Sequence, residues 1–116
     1  MTSLLYLPLA VNVAVLVPVT YGLITGAPWT GDSYGGASPA RGILLAVYLA
    51  ILIASLALMV QPVVPAIVTL LALQVLYKVM TPLTTGDWAN PVVMANLGIA
   101  ALHAFCLAVV LLRPAL

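Results

Sequence analysis

The sequence predicts an all-α integral membrane protein: an antiparallel four-helix transmembrane bundle built from two tandem helical hairpins. Three observations predict it. Of the 116 residues, 66% are hydrophobic and only 4% are charged, with a mean hydropathy of +1.31. A soluble domain carries about 25% charged residues, so this chain cannot cover a water-facing surface. Four apolar runs, at about 4–24, 40–60, 64–80 and 91–112, each come near the roughly 20 residues that cross a hydrocarbon core of about 30 Å. Finally, one stretch has an echo. Tyr21, Thr25, Pro28 and Thr30-Gly31-Asp32 match Tyr77, Thr81, Pro82 and Thr85-Gly86-Asp87 with short gaps. Each copy closes on a polar residue and a proline, Ser38-Pro39 and Asn90-Pro91.

The first span holds Pro8 in its opening turns and Pro18 in its interior, where the ring is expected to kink it. Asn12 is an amide at membrane depth, read either as an interhelical hydrogen bond or as a substrate contact. Residues 26–38 are expected to be a loop, with Trp29 and Tyr34 in the headgroup layer. Ser38 then reads as an N-cap and Pro39 as the first helical residue.

In the second span Gly42, Ala46, Ala50 and Ala54 recur every four residues. Such a stripe lets helices approach closely, so it is expected at helix contacts. Tyr48 lies off the stripe, and Arg41 is near enough to the end to snorkel to water. The connector Gln61-Pro62-Val63-Val64-Pro65 is short and should make the second and third spans antiparallel neighbours.

The third span is short. Gln74, Tyr77, Lys78 and Thr81 share its most polar side. Lys78 is expected to reach the interface and not to bury its ammonium. A second loop, 82–90, carries Trp88, and Asn90-Pro91 repeats the cap-then-proline start. In the fourth span Asn96, Ala100, Ala104 and Ala108 form another four-residue stripe. His103 shares a face with Asn96 near the bilayer centre. Arg113 ends the span at the opposite surface.

Met1-Thr2-Ser3 lacks the basic region of a signal peptide, so the first run is read as a retained span. Four spans put both termini on one side and both Thr-Gly-Asp loops on the other. The loop side carries Arg41 and Lys78 against Arg113 on the other, a small bias toward cytoplasmic loops. The expected location is the bacterial inner (cytoplasmic) membrane, multi-pass.

A net charge of +1 without a basic patch excludes nucleic acid as the default partner. The single Cys106 cannot form an internal disulfide and reads as an inert apolar thiol. There is no nucleophile elbow, phosphate loop or metal-ligand spacing, so catalysis and a metal site are not expected. The two Thr-Gly-Asp turns read either as Asx- and ST-turns fixing their loops or as paired carboxylates for a cation or partner. Asp32 and Asp87 also have Arg41 and Lys78 within reach as partners. His103 reads either as a neutral side chain bonded to Asn96, Tyr48 or a backbone carbonyl, or as an axial ligand to a haem or pigment; the cofactor stays unassigned. No Asp or Glu lies inside any span, which argues against a proton-coupled exporter of the small four-span multidrug type.

The leading expectation is a non-catalytic accessory or assembly subunit of a larger membrane complex, with the bilayer and other subunits as partners. The alternative is a homo-oligomeric transporter or channel lined by Asn12, Tyr48, Gln74, Asn96 and His103. A weaker alternative is pigment or haem binding through His103.

Overall fold

A computed structural model describes residues 2–112. The described residues form five helices: α1 Thr2–Thr25, α2 Pro28–Tyr34, α3 Pro39–Val60, α4 Val64–Thr85 and α5 Pro91–Leu112. The four long ones are long and apolar enough to cross a membrane, and no strand occurs among the described residues. The chain is a membrane protein by this measure.

The ends of these helices follow from local chemistry. Gly26 adopts the left-handed conformation at φ 70°, and the Ala27 N–H then donates to the Gly22 carbonyl at 2.9 Å. That bond is the signature of a Schellman ending. Ser38 caps α3 as expected, accepting from the Arg41 N–H at 3.1 Å ahead of Pro39. Asn90 caps α5 by accepting from the Val92 N–H at 2.9 Å. Gly86, at φ 67°, closes α4 with its N–H on the Pro82 carbonyl.

Two boundaries differ from the sequence reading. The first loop contains the short helix α2, opened by Pro28 at its first position. And α4 continues past Met80 through Pro82 to Thr85. Proline has no N–H, so the Lys78 carbonyl loses its usual helical donor. The Thr81 hydroxyl supplies one instead, at 2.7 Å. Inside a bilayer a freed carbonyl must find such a partner, and a neighbouring hydroxyl is a common source. The helix α1 likewise runs through both Pro8 and Pro18.

α1 packs mainly on α3, and α4 mainly on α5, while α1 also touches α4 and α5. One apolar cluster joins Leu5 and Leu9 of α1 to Ile67 and Leu71 of α4 and to Leu107 and Val110 of α5. A second joins Leu16 and Leu23 of α1 to Tyr48 of α3. Burial of each such side chain is worth about 1.5–3 kcal/mol relative to water, although in a bilayer part of that gain is already present before the helices meet.

The small stripes do not lie where the sequence suggested. Gly42, Ala46 and Ala50 are exposed on the outer face of α3, and only Ala54 is half-buried. On α5, Asn96 and Ala100 are buried but Ala104 and Ala108 face outward. A step of four residues overshoots a 3.6-residue turn by about 40°, so a strict four-residue row winds off the contact face. The buried row of α5 instead mixes steps of three and four: Val93, Asn96, Ala100, His103, Leu107 and Val110.

Candidate functional site: a buried lysine beside three tyrosines

Between the two apolar clusters lies a polar layer. Asn12, Ser55, Gln74, Lys78, Asn96 and His103 are all buried there. Heptad-like burial on α1 and α4 explains why: Leu9, Asn12 and Leu16 follow one face of α1, and Leu71, Gln74 and Lys78 follow one face of α4.

The Asn12 amide donates to the Ser55 hydroxyl at 3.1 Å, joining α1 to α3. This is the interhelical bond, one of the two roles open to Asn12. Lys78 departs from expectation. It is only 6% exposed, and its Nζ donates to Asn96 Oδ1 at 3.1 Å across the α4–α5 contact. The reason is the continuation of α4 through Pro82, which moves the helix end away and leaves Lys78 facing α5. The same ammonium sits 5.1 Å from the centroid of the Tyr77 ring, within the range of a cation–π contact.

Three cavities meet around Tyr48, which lines all of them, and the smallest is also lined by Lys78. The largest, of about 390 Å³, is a groove between α3 and α4 walled by Leu44, Val47 and Ile51 on one side and Leu70 and Leu73 on the other. Gln74 and Tyr77 also line it. The second, of about 200 Å³, runs past Tyr34, Tyr77, Asn90 and Asn96. The third, of about 60 Å³, holds Tyr34, Lys78 and Asn96 together. Tyr34 reaches the second and third from α2, its ring 6.0 Å from that of Tyr48 at 75° and 6.4 Å from that of Trp29. Burial, and then the neighbouring Tyr48, push the Tyr34 phenol upward from its ordinary value, so it stays a hydrogen-bond donor.

His103 is fully buried, and neither ring nitrogen has a hydrogen-bond partner. None of the expected bonds, to Asn96, Tyr48 or a backbone carbonyl, is formed; the Asn96 carbonyl oxygen accepts from Lys78. The Pro8 carbonyl approaches the ring without closing a well-formed bond. His103 lines none of the three cavities. The Gln74 side-chain nitrogen is also buried and without a partner. Cys106, on the turn beyond His103, is fully buried and free. Among the described residues no group of three or more His, Cys, Asp or Glu side chains could hold a metal.

The loop motifs part company. Thr30 is fully buried; its hydroxyl donates to the Ala27 carbonyl at 2.6 Å and accepts from the Arg41 guanidinium at 3.2 Å. Arg41 donates further to the Gly35 carbonyl. Thr85 accepts from the Asp87 N–H at 3.3 Å. Asp32 and Asp87 are both exposed, while Arg41 and Lys78 direct their hydrogen bonds to other groups. The threonine, rather than the aspartate, is thus the member of each motif that fixes the backbone. Asn90 does more than cap: its amide also donates to the Ser33 carbonyl at 2.7 Å, tying α2 to the start of α5. Arg113 lies outside the described residues.

The site that sequence reasoning missed is the meeting of Tyr34, Tyr48, Tyr77 and Lys78. Its one visible signal was the polar side of the third span. Tyr34 was hidden because α2 was read as loop.

No family model matches the chain, and neither a curated protein nor a solved structure matches it.

Proposed function

We propose that the chain is a small non-catalytic subunit of a larger complex in the bacterial inner membrane, docked through the outer face of α3. The observation that carries this is the outward aim of Gly42, Ala46 and Ala50. A row of small side chains lets a second helix come close, and the chain's own helices do not use it. α3 is also the least buried of the four long helices. The finer architecture belongs to the same reading: two tandem hairpins, α1 with α3 and α4 with α5, arranged as an antiparallel bundle. Support comes from the first apolar cluster, where the beginnings of α1 and α4 meet the end of α5. Both termini then share one side, and both Thr-Gly-Asp segments share the other.

The test is native mass in a mild detergent, comparing the natural chain with Ala46→Leu/Ala50→Leu. A stoichiometric complex with unrelated subunits, lost in the double variant, is the expected result. A lone chain, or a pure homo-oligomer, contradicts it.

A second reading is a transporter or channel formed by several copies. It is favoured by the buried polar layer of Asn12, Tyr48, Gln74, Asn96 and His103, and by the unpartnered nitrogens of Gln74 and His103. Solute flux into liposomes holding the pure protein would favour it over the subunit role. Pigment or haem binding through His103 has less support, since the ring lines none of the cavities. A visible absorption band lost in His103→Ala would restore it.

A further inference from the structure

We infer that the small cavity lined by Tyr34, Tyr48, Lys78 and Asn96 binds one inorganic monoanion of halide size, held against the Lys78 ammonium. The inference is independent of the subunit role.

All five helices wall this cavity: Leu16 of α1, Tyr34 of α2, Tyr48 of α3, Lys78 of α4 and Asn96 of α5 line it. Among the described residues, the polar side chains on its wall are those of Tyr34, Tyr48, Lys78 and Asn96, and the rest are aliphatic. These four groups are rich in donors. An ammonium offers three N–H groups, each phenol one O–H and the amide two N–H. The one carbonyl oxygen in the set, Asn96 Oδ1, already accepts from Lys78. That is the single hydrogen bond that either Lys78 Nζ or the Asn96 side chain makes among the described residues. The Tyr77 ring face, 5.1 Å from the ammonium, eases the charge without accepting a full hydrogen bond. A guest that only accepts fits such a wall.

Charge and size select that guest further. Lys78 is only 6% exposed, and a buried cation is costly unless it is paired. The chain has only two carboxylate side chains, Asp32 and Asp87; both are exposed and neither lines the cavity. An ionisable residue at membrane depth is by default a functional one. The missing negative charge must then come from outside the chain. The cavity measures about 60 Å³, and a water molecule takes about 30 Å³. It has room for a halide with one water and not for a lipid headgroup. A way in is also present. The 200 Å³ cavity shares Tyr34, Tyr48 and Asn96 with the small one and extends past Ser33, Thr85 and Asn90, at the ends of α2 and α4 and the start of α5.

The test titrates chloride into the full chain in an uncharged maltoside detergent, with sodium gluconate holding the ionic strength. Chloride-35 NMR line broadening reads the bound ion. The wild type is expected to show broadening that saturates at one site per chain, is displaced by bromide and is untouched by gluconate, which is too large to enter. Lys78→Met should abolish the saturable part. Tyr48→Phe, which removes one O–H and keeps the ring, should weaken binding by about tenfold, as befits a hydrogen bond to a charge. No saturable broadening in the wild type overturns the inference, as does displacement by gluconate or full chloride binding by Lys78→Met. Should Lys78→Met fail to fold, unchanged affinity in Tyr48→Phe overturns it instead.

Discussion

Two stretches of this chain, 21–32 and 77–87, carry similar residues and fold differently. In the first, Tyr21 is followed by Gly22; in the second, Tyr77 is followed by Lys78. Gly22 has no side chain, and the Trp29 ring fills its place: a Cβ there would lie 2.6 Å from Trp29 Cζ2. That packing holds α2 against α1. Lys78 extends inward to Asn96. The later part of the motif diverges too. Thr30-Gly31-Asp32 is wound into α2, with Thr30 buried beneath Arg41. Thr85-Gly86-Asp87 ends α4, with Gly86 left-handed. The lesson is that a short polar motif does not fix its own conformation. What surrounds it decides: an aromatic ring on a glycine in one half, a buried cation in the other.

The comparison can be broken at its interior polar pairs first. Asn96→Leu should leave the Lys78 ammonium buried without its acceptor and cost about 3 kcal/mol or more. The matching change in the other half, Asn12→Leu, leaves only the Ser55 hydroxyl without its donor and should cost about 1 kcal/mol. Unfolding in mixed micelles of increasing denaturing detergent measures both. Equal losses would mean that the two halves are held in the same way.

Gly22→Leu comes next. It forces Trp29 off α1 and should destabilise by about 1–3 kcal/mol, with a blue- or red-shifted Trp29 emission as the ring changes surroundings. The Trp88 signal is removed beforehand by Trp88→Phe. An unchanged Trp29 spectrum would show that the ring does not pack on Gly22.

The aligned glycines sharpen the contrast, because they should respond with opposite sign. Gly86→Ala places a side chain in the left-handed region and should cost about 1 kcal/mol. Gly31→Ala, within α2 and with open space around it, should stabilise by about 0.5–1 kcal/mol. The smallest effect is expected at the exposed Thr85: Thr85→Ala should change stability by less than about 0.5 kcal/mol, whereas Thr30→Ala removes a buried link and should cost about 1 kcal/mol.

Much of the fold was legible because the bilayer imposes it. Four apolar runs, Ser38-Pro39 and Asn90-Pro91 gave the long helices and two of their starts from composition and capping chemistry alone. α2 was not legible, since Pro28 to Tyr34 is rich in residues that favour turns; what makes it helical is the packing of Trp29 and Thr30 onto α1, a tertiary effect. The end of α4 was misread because proline usually stops a helix, and here the Thr81 hydroxyl replaces the lost donor. Of the candidate site, Gln74, Tyr77 and Lys78 were legible as one helix face. The depth of Lys78 was not, because it follows from how far α4 runs on. The outward aim of the α3 stripe was also hidden: a row of small residues says that something can come close, not from which direction.

The paired arrangement of the two halves is tested most directly by the sidedness of the two aspartates. Asp32→Cys and Asp87→Cys, made singly in a Cys106→Ala background, are labelled in sealed vesicles with a membrane-impermeant maleimide. The account predicts that both thiols react from one and the same side. Reaction of one from outside and the other only after the vesicles are opened would contradict it.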